Sequence, residues 1–178
     1  RLQRDDVAVF YSDGVTDRGD QDGNAFGADR LKEAARRSRA DAARIVSVNL
    51  CTDQLLVALA PRNRIAAVTA LATEQLSTPD PQAAMGLPIT DGGAESVFSF
   101  DPDLVLVTPF TSPATVSLLQ RLGRRVVAVP LAQDFAGVRT AISVVAEAIG
   151  EAEAGKKLVA AFDARLGGRL GISGNRLG

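Results

Sequence analysis

The stretch RIVSVNLCTDQLLVALAPRNRIAAVTAL, residues 44–71, decides the fold. Its apolar run at 45–49 predicts a strand, the segment 51–60 predicts a helix closed by Pro61, and the run at 65–70 predicts a second strand. Both strands are continuous apolar runs rather than alternating ones. This pattern is typical of a parallel sheet that is covered on both faces.

The same β/α alternation continues along the chain after a loop at 77–93. Ser112 and Pro113 are an N-cap and a first-turn proline, and Asp134 and Gly150 have the residue types that begin and end a long helix. The remaining predicted elements are a short helix at 94–100, strands at 104–108 and 125–130, and helices at 114–123, 135–149 and 151–166. We therefore expect an α/β fold with a mostly parallel sheet of four or more strands, helices on both faces, and one compact domain from about 44 to 166.

Composition excludes several classes of function. The 178 residues include no histidine and one cysteine, Cys51, so this chain alone holds neither a structural zinc site, nor a Ser-His-Asp triad, nor an internal disulfide. The net charge of −1 argues against nucleic-acid binding. No apolar run approaches the ~18 residues of a membrane span. Because the sequence starts at Arg1 without a signal-peptide pattern, we expect it to be a piece of a longer protein.

Four motifs follow one another at regular intervals in the second part of the chain. They are RIVSVN (44–49) with Thr52-Asp53 after it, Gly92 to Glu95, PDLV (102–105) and LQRLGRRV (119–126). Over about 120 residues this series resembles the amino-terminal lobe of ABC-transporter substrate-binding proteins, of the type for iron-siderophores, haem and cobalamin. The resemblance implies a periplasmic or cell-surface protein, and it makes 150–168 the start of a helix that links two similar lobes. With the second lobe missing, we expect a cleft with one wall and weak binding.

In an open parallel sheet, ligands bind beyond the carboxyl ends of the strands. The ends of the predicted strands carry amide, hydroxyl and aromatic groups without a cationic cluster, which suits a partly apolar metal chelate or a corrinoid better than bare Fe³⁺ or phosphate. For Phe110 and Cys51, simple packing at a strand end is the alternative. The predicted ligand-binding residues are Asn49, Leu50, Cys51, Leu71, Gly93, Thr108 and Phe110.

Glu95 lies at the start of the predicted short helix. The resemblance implies that it is an exposed carboxylate that docks onto arginines of the ABC permease. The alternative is a local role, since a carboxylate complements the positive end of a helix. We expect Glu95 to point to solvent, beyond the rim of the ligand site.

The first 43 residues have a different character. A predicted strand, VAVFYS (7–12), precedes SDGVTD (12–17) and DGNAFGADRL (22–31), and together these resemble the C-terminal part of bacterial metal-dependent Ser/Thr phosphatases. The resemblance implies that Asp13 is a ligand of a binuclear Mn/Mg centre. The family's other metal-binding segments are absent, so we expect a vestigial site, no cofactor and no catalysis. The alternative for Asp13 is a turn residue that bonds the backbone.

Three functions remain open from the sequence. They are a solute-binding lobe that captures an iron chelate or cobalamin, a metal-dependent phosphatase represented only by its tail, and a fusion without a selected function. The predicted division of the chain is 1–43, 44–150 and 151–178, with strand 7–12 either paired to an edge of the main sheet or loose. The Gly-rich tail lacks the spacing of a phosphate loop and is expected to be frayed or derived from a vector or fragment.

Overall fold

The computed structural model describes residues 44–169. The predicted strand at 7–12, the predicted metal ligand Asp13 and the tail at 170–178 lie outside the described residues. The division of the chain into three segments therefore stays a prediction.

Five parallel strands form one sheet in the order β3-β2-β1-β4-β5. The first strand lies at the centre, where Ile45 is paired with Ile65 on one side and with Leu104 on the other. This arrangement confirms the predicted parallel sheet. The strands are β1 (Ile45–Ser47), β2 (Ile65–Thr69), β3 (Ile89–Thr90), β4 (Leu104–Val107) and β5 (Arg125–Ala128).

Helices cover both faces of this sheet, as the apolar strands predicted. The side chains of Ile45 and Leu106 belong to a buried cluster with α1 and α4, whereas Val46 and Val105 pack in a second cluster with α2 and α3. Successive residues of a strand point to opposite faces, so one short apolar run supplies both layers. The helices are α1 (Leu50–Leu59), α2 (Ala94–Ser99), α3 (Pro113–Arg121), α4 (Phe135–Ile149) and α5 (Ala152–Arg169).

The turn after β1 corrects the predicted strand at 45–49, which ends at Ser47. Asn49 adopts an extended conformation and caps α1, and its side-chain oxygen accepts a hydrogen bond from the backbone N–H of Cys51 at 2.9 Å. The N-cap is the residue at which the chain leaves the extended conformation and enters the helix. The helix consequently begins at Leu50, one residue earlier than predicted.

The other predicted helix ends have mixed outcomes. Asp134 caps α4 by accepting a hydrogen bond from the backbone N–H of Gly137 at 2.6 Å, and Gly150 ends that helix with a φ of 79°. Both are as predicted. Ser112 is at the N-cap of α3, but its hydroxyl makes no capping hydrogen bond.

The segment predicted as a loop at 77–93 contains structure that the sequence did not indicate. It holds the edge strand β3 and a 3₁₀ turn at Pro81–Ala84. Further 3₁₀ turns occur at Arg62–Arg64 and Ala70–Thr73. Among the described residues, no helix is both long enough and apolar enough to cross a membrane.

Candidate functional site

The carboxyl ends of β1 and β4 lie side by side at the centre of the sheet, where the strand order reverses. From β1 the chain proceeds through α1 to β2 on one side, whereas β4 and then β5 occupy the other side. Loops diverge at such a switch point and leave a crevice, which is where open α/β sheets bind ligands. The backbone N–H of Val48 donates to the carbonyl of Leu106 at 3.2 Å, so the two strand ends are held together up to the crevice.

A depression of about 270 Å³ opens at this switch point. Its walls come from the turn after β1, the turn between β3 and α2, and the segment from the end of β4 into α3. The lining residues are Val48, Asn49, Asp91, Gly92, Gly93, Thr108, Phe110, Thr111, Ser112 and Thr115.

Thr108, at the end of β4, has an unusual environment. The residue is buried, with 3 % of its surface exposed, and its hydroxyl has no hydrogen-bond partner among the described residues. Its backbone N–H donates to the hydroxyl of Thr111 at 3.2 Å, which fixes the turn. A buried polar group without a partner costs free energy, which makes Thr108 a candidate site residue at this strand end.

Phe110 contributes a large apolar surface two residues further along. Its side chain is 82 % exposed although it lines the depression. Asn49 contributes a polar group on the opposite strand end. Because its side-chain oxygen caps α1, its amide nitrogen is the atom that can donate to a ligand.

The third wall is the turn between β3 and α2. The carboxylate of Asp91 accepts a hydrogen bond from the backbone N–H of Gly93 at 2.8 Å, and the hydroxyl of Thr90 accepts one from the N–H of Gly92 at 3.1 Å. Gly92 has a φ of +79°, which favours glycine. Asp91 is the one charged side chain among the residues that line the depression.

A second cavity of about 240 Å³ shares Thr108 as a wall residue. It lies between the start of α1, the segment after β5 and the helix α4, and its surface is mostly apolar. Cys51, Thr52 and Leu55 line it on one side and Val129, Pro130 and Leu131 on the other. Cys51, which is exposed, thus lines this cavity rather than the depression.

Asp53 lies in a third cavity, between α1 and the 3₁₀ turns that follow β2. The residue is buried, and its carboxylate accepts hydrogen bonds from the hydroxyl of Thr69 at 2.5 Å and from the backbone N–H of Thr69 at 3.3 Å. Burial raises the pKa of Asp53 to about 6, although hydrogen bonds from Ser47 and Thr69 act in the opposite direction. This group supports the site by fixing the end of β2 to α1.

The structure brings together four of the seven predicted ligand-binding residues, namely Asn49, Gly93, Thr108 and Phe110. Cys51 lies in the neighbouring cavity. Leu50 and Leu71 are not among the residues that line either cavity, and the backbone turns into the 3₁₀ segment Ala70–Thr73 before Leu71 can reach the depression. The prediction missed the contributions of Ser112 and Thr115, at the N-cap and in the first turn of α3.

Glu95 is exposed, as expected, in the first turn of α2, two residues after Gly93, which lines the depression. It forms no ion pair with any residue that the structure describes. Across residues 44–169, no group of three or more acidic, cysteine or histidine side chains is arranged to hold a metal ion.

The chain was compared with protein families, with curated protein sequences and with solved structures. The family model for periplasmic binding proteins matches residues 45–167. No curated protein sequence matches the chain.

Solved structures with the same fold include a periplasmic heme-binding protein from Pseudomonas aeruginosa, with 21% identity and a TM-score of 0.61, over 70% of this chain and 44% of that one. The periplasmic heme-binding protein BhuT in complex with two hemes has 27% identity and a TM-score of 0.58, over 68% and 46%. The periplasmic vitamin B12-binding protein BtuF of Vibrio cholerae has 21% identity and a TM-score of 0.55, over 70% and 48%. The chain thus spans slightly under half the length of these three proteins.

Proposed function

The chain belongs to the periplasmic binding protein family, and from that premise we propose that it is the ligand-capturing lobe of a substrate-binding protein of an ABC importer. The proposed cargo is a metal chelate, such as haem or a ferric siderophore, or a corrinoid. The observation that carries the proposal is the depression at the switch point, where the buried hydroxyl of Thr108 lacks a partner and Phe110 lies exposed beside it.

The chemistry of the depression supports a large, partly apolar ligand. Phe110 offers a flat apolar surface on which a tetrapyrrole or corrin ring can stack, and the hydroxyl and amide groups of Thr108 and Asn49 can orient its polar substituents. Similar proteins are described as binding heme and vitamin B12. At about 270 Å³ the depression is smaller than the ~300–1,000 Å³ of most ligand pockets, so we expect this chain to bind weakly.

The partner in this proposal is an ABC permease, which Glu95 contacts. Its carboxylate is exposed at the start of α2, next to the ligand depression and without an ion pair to the described residues. A permease surface with a basic side chain can therefore pair with it and lie over the bound cargo. A periplasmic or cell-surface location is part of the same proposal.

Titration of the chain with haemin, a ferric siderophore and cyanocobalamin, followed by absorbance and isothermal titration calorimetry, tests the proposal. We expect saturable binding of at least one ligand and roughly tenfold weaker binding by Phe110→Ala, because an aromatic contact contributes about 1.4 kcal/mol. Leu76→Ala is the matched control, since Leu76 is fully exposed and does not line the depression. Absence of binding to all three ligands, or equal losses in the two variants, would overturn the proposal.

Docking is tested separately with a permease in nanodiscs. Glu95→Gln is expected to weaken association without changing ligand affinity, and the effect is expected to shrink at high salt. Glu153→Gln, an exposed carboxylate on α5, is the control. Association that is unchanged by Glu95→Gln would remove Glu95 from the interface.

A further inference from the structure

The charge of the depression differs from that of a site for carboxylates. Asp91 is its one charged lining residue, and one of its carboxylate oxygens accepts the N–H of Gly93 at 2.8 Å while the other has no hydrogen bond to the described residues. Glu95 adds a second negative charge four residues later. No lysine or arginine lines this depression or the neighbouring apolar cavity.

Three residues that carry uncharged hydrogen-bond donors line the same depression as this carboxylate. The hydroxyl of Thr108 is buried without a partner, the hydroxyl of Ser112 makes no capping bond to α3, and the amide nitrogen of Asn49 is free of its capping role. The depression therefore offers donors together with one anionic acceptor. This combination matches a group that both accepts and donates hydrogen bonds.

We infer that the depression selects cargo that presents neutral carboxamide groups over cargo that presents carboxylates at the same place. A carboxamide carbonyl accepts a hydrogen bond from the hydroxyl of Thr108, and a carboxamide N–H donates to Asp91. A carboxylate has no proton to donate and is repelled by Asp91. The inference rests on the proposed function and narrows its cargo to the amide-bearing class, of which corrinoids are members.

The test uses two probes that differ by a single group. Cyanocobalamin carries carboxamides around its ring, and in each of its monocarboxylic acid derivatives one carboxamide is replaced by a carboxylate. We expect the 178-residue chain to bind cyanocobalamin about fivefold more tightly than at least one of these derivatives, because Asp91 is exposed and a charge repulsion screened by water is about 1 kcal/mol. The difference is expected to shrink in 1 M salt.

Two variants test whether Asp91 is the residue responsible for this selectivity. Asp91→Asn keeps an oxygen to accept the N–H of Gly93 and removes the charge, so the preference for the carboxamide is expected to disappear. Asp80→Asn is the matched control, because the carboxylate of Asp80 likewise accepts a local backbone N–H, from Ala83 at 3.3 Å, but does not line the depression. Circular dichroism is used to check that both variants are folded.

The outcomes distinguish a failure of the selectivity from a failure of the proposed function. Equal affinity for cyanocobalamin and every derivative, or a preference that Asp91→Asn leaves unchanged, overturns the inference while binding itself still supports the proposed function. A preference for haemin over both haemin dimethyl ester and cyanocobalamin also overturns it. If neither cyanocobalamin nor any other cargo binds, the proposed function fails and the inference fails with it.

Discussion

The carboxylate of Asp53 in α1 accepts a 2.5 Å hydrogen bond from the hydroxyl of Thr69 at the end of β2. The backbone N–H of Thr69 also donates to both carboxylate oxygens, at 3.3 Å. Asp53 is fully buried. This contact fixes the helix that carries the N-cap Asn49 to the neighbouring strand. The orientation of one wall of the depression thus depends on a buried acid.

The pH dependence of stability follows from this acid. Because burial raises the pKa of Asp53 to about 6 in the folded state, the group favours folding most at low pH and loses this contribution as the pH rises from about 4 through about 6. The difference corresponds to roughly 3 kcal/mol. In urea denaturation, Asp53→Asn is expected to match or exceed the free energy of unfolding of the unmodified chain at pH 7.5 and to fall below it at pH 4.

Asp80→Asn, at an exposed acid, is the control, and other titrating groups cancel in each comparison. Thr69→Val removes the donated hydrogen bond that lowers the pKa of Asp53, so it is expected to move the transition to higher pH. A stability difference between Asp53→Asn and the unmodified chain that stays constant from pH 4 to 7.5 would contradict the assignment.

Gly155 in α5 is predicted to be indispensable for helix packing. A Cβ at this position would lie 2.4 Å from the Cβ of Ala146 in α4, so Gly155→Ala should force the two helices apart at a cost of about 1–3 kcal/mol. Gly167 lies in the same helix with nothing within 4 Å of its would-be Cβ. Gly167→Ala is therefore expected to be neutral or stabilising, as measured by thermal denaturation. Equal effects of the two substitutions would disprove the packing argument.

Much of the fold is predictable because its strands are continuous apolar runs. Ile45 and Val46 each face a different layer, and the alternation of strands with capped helices leaves few alternatives to a parallel sheet. The strand β3 could not be predicted from its two residues, Ile89 and Thr90, since tertiary pairing with β2 rather than any local pattern creates it.

The candidate site was predictable to the extent that it follows from topology. Asn49 and Thr108 meet because parallel strands end at the same edge. Leu71 was expected there for the same reason, but the 3₁₀ turn after β2 changes the course of the chain, and no strong sequence signal marks such turns. The position of the Asp91 carboxylate at the rim depends on the turn around Gly92, and the left-handed conformation of Gly92 becomes evident only in the structure.

Gly92 provides a test of that turn. Its φ of +79° makes Gly92→Ala strained by about 1–2 kcal/mol, although the new Cβ would be in ordinary contact with Val48 at 3.6 Å. Gly123 has a φ of +77° with open space around it, so Gly123→Ala should be destabilised to a similar extent. Ligand titration is expected to show weaker binding for Gly92→Ala alone, because only that glycine shapes the depression. Equal binding by the two variants would contradict this.

Substitution of Thr108 tests whether its hydroxyl serves ligand binding or stability. Its buried hydroxyl has no partner, so the nearly isosteric change Thr108→Val removes an unsatisfied polar group and should raise the free energy of unfolding by about 1 kcal/mol. The same change removes a donor from the depression and should weaken ligand binding by about 5-fold or more.

Thr52, also buried at this edge, forms a hydrogen bond with the hydroxyl of Ser47 at 2.7 Å and donates one to the carbonyl of Asn49 at 2.8 Å. Thr52→Val should therefore lose stability, whereas a Thr108→Val variant that loses stability and binds normally would show that the hydroxyl serves the fold.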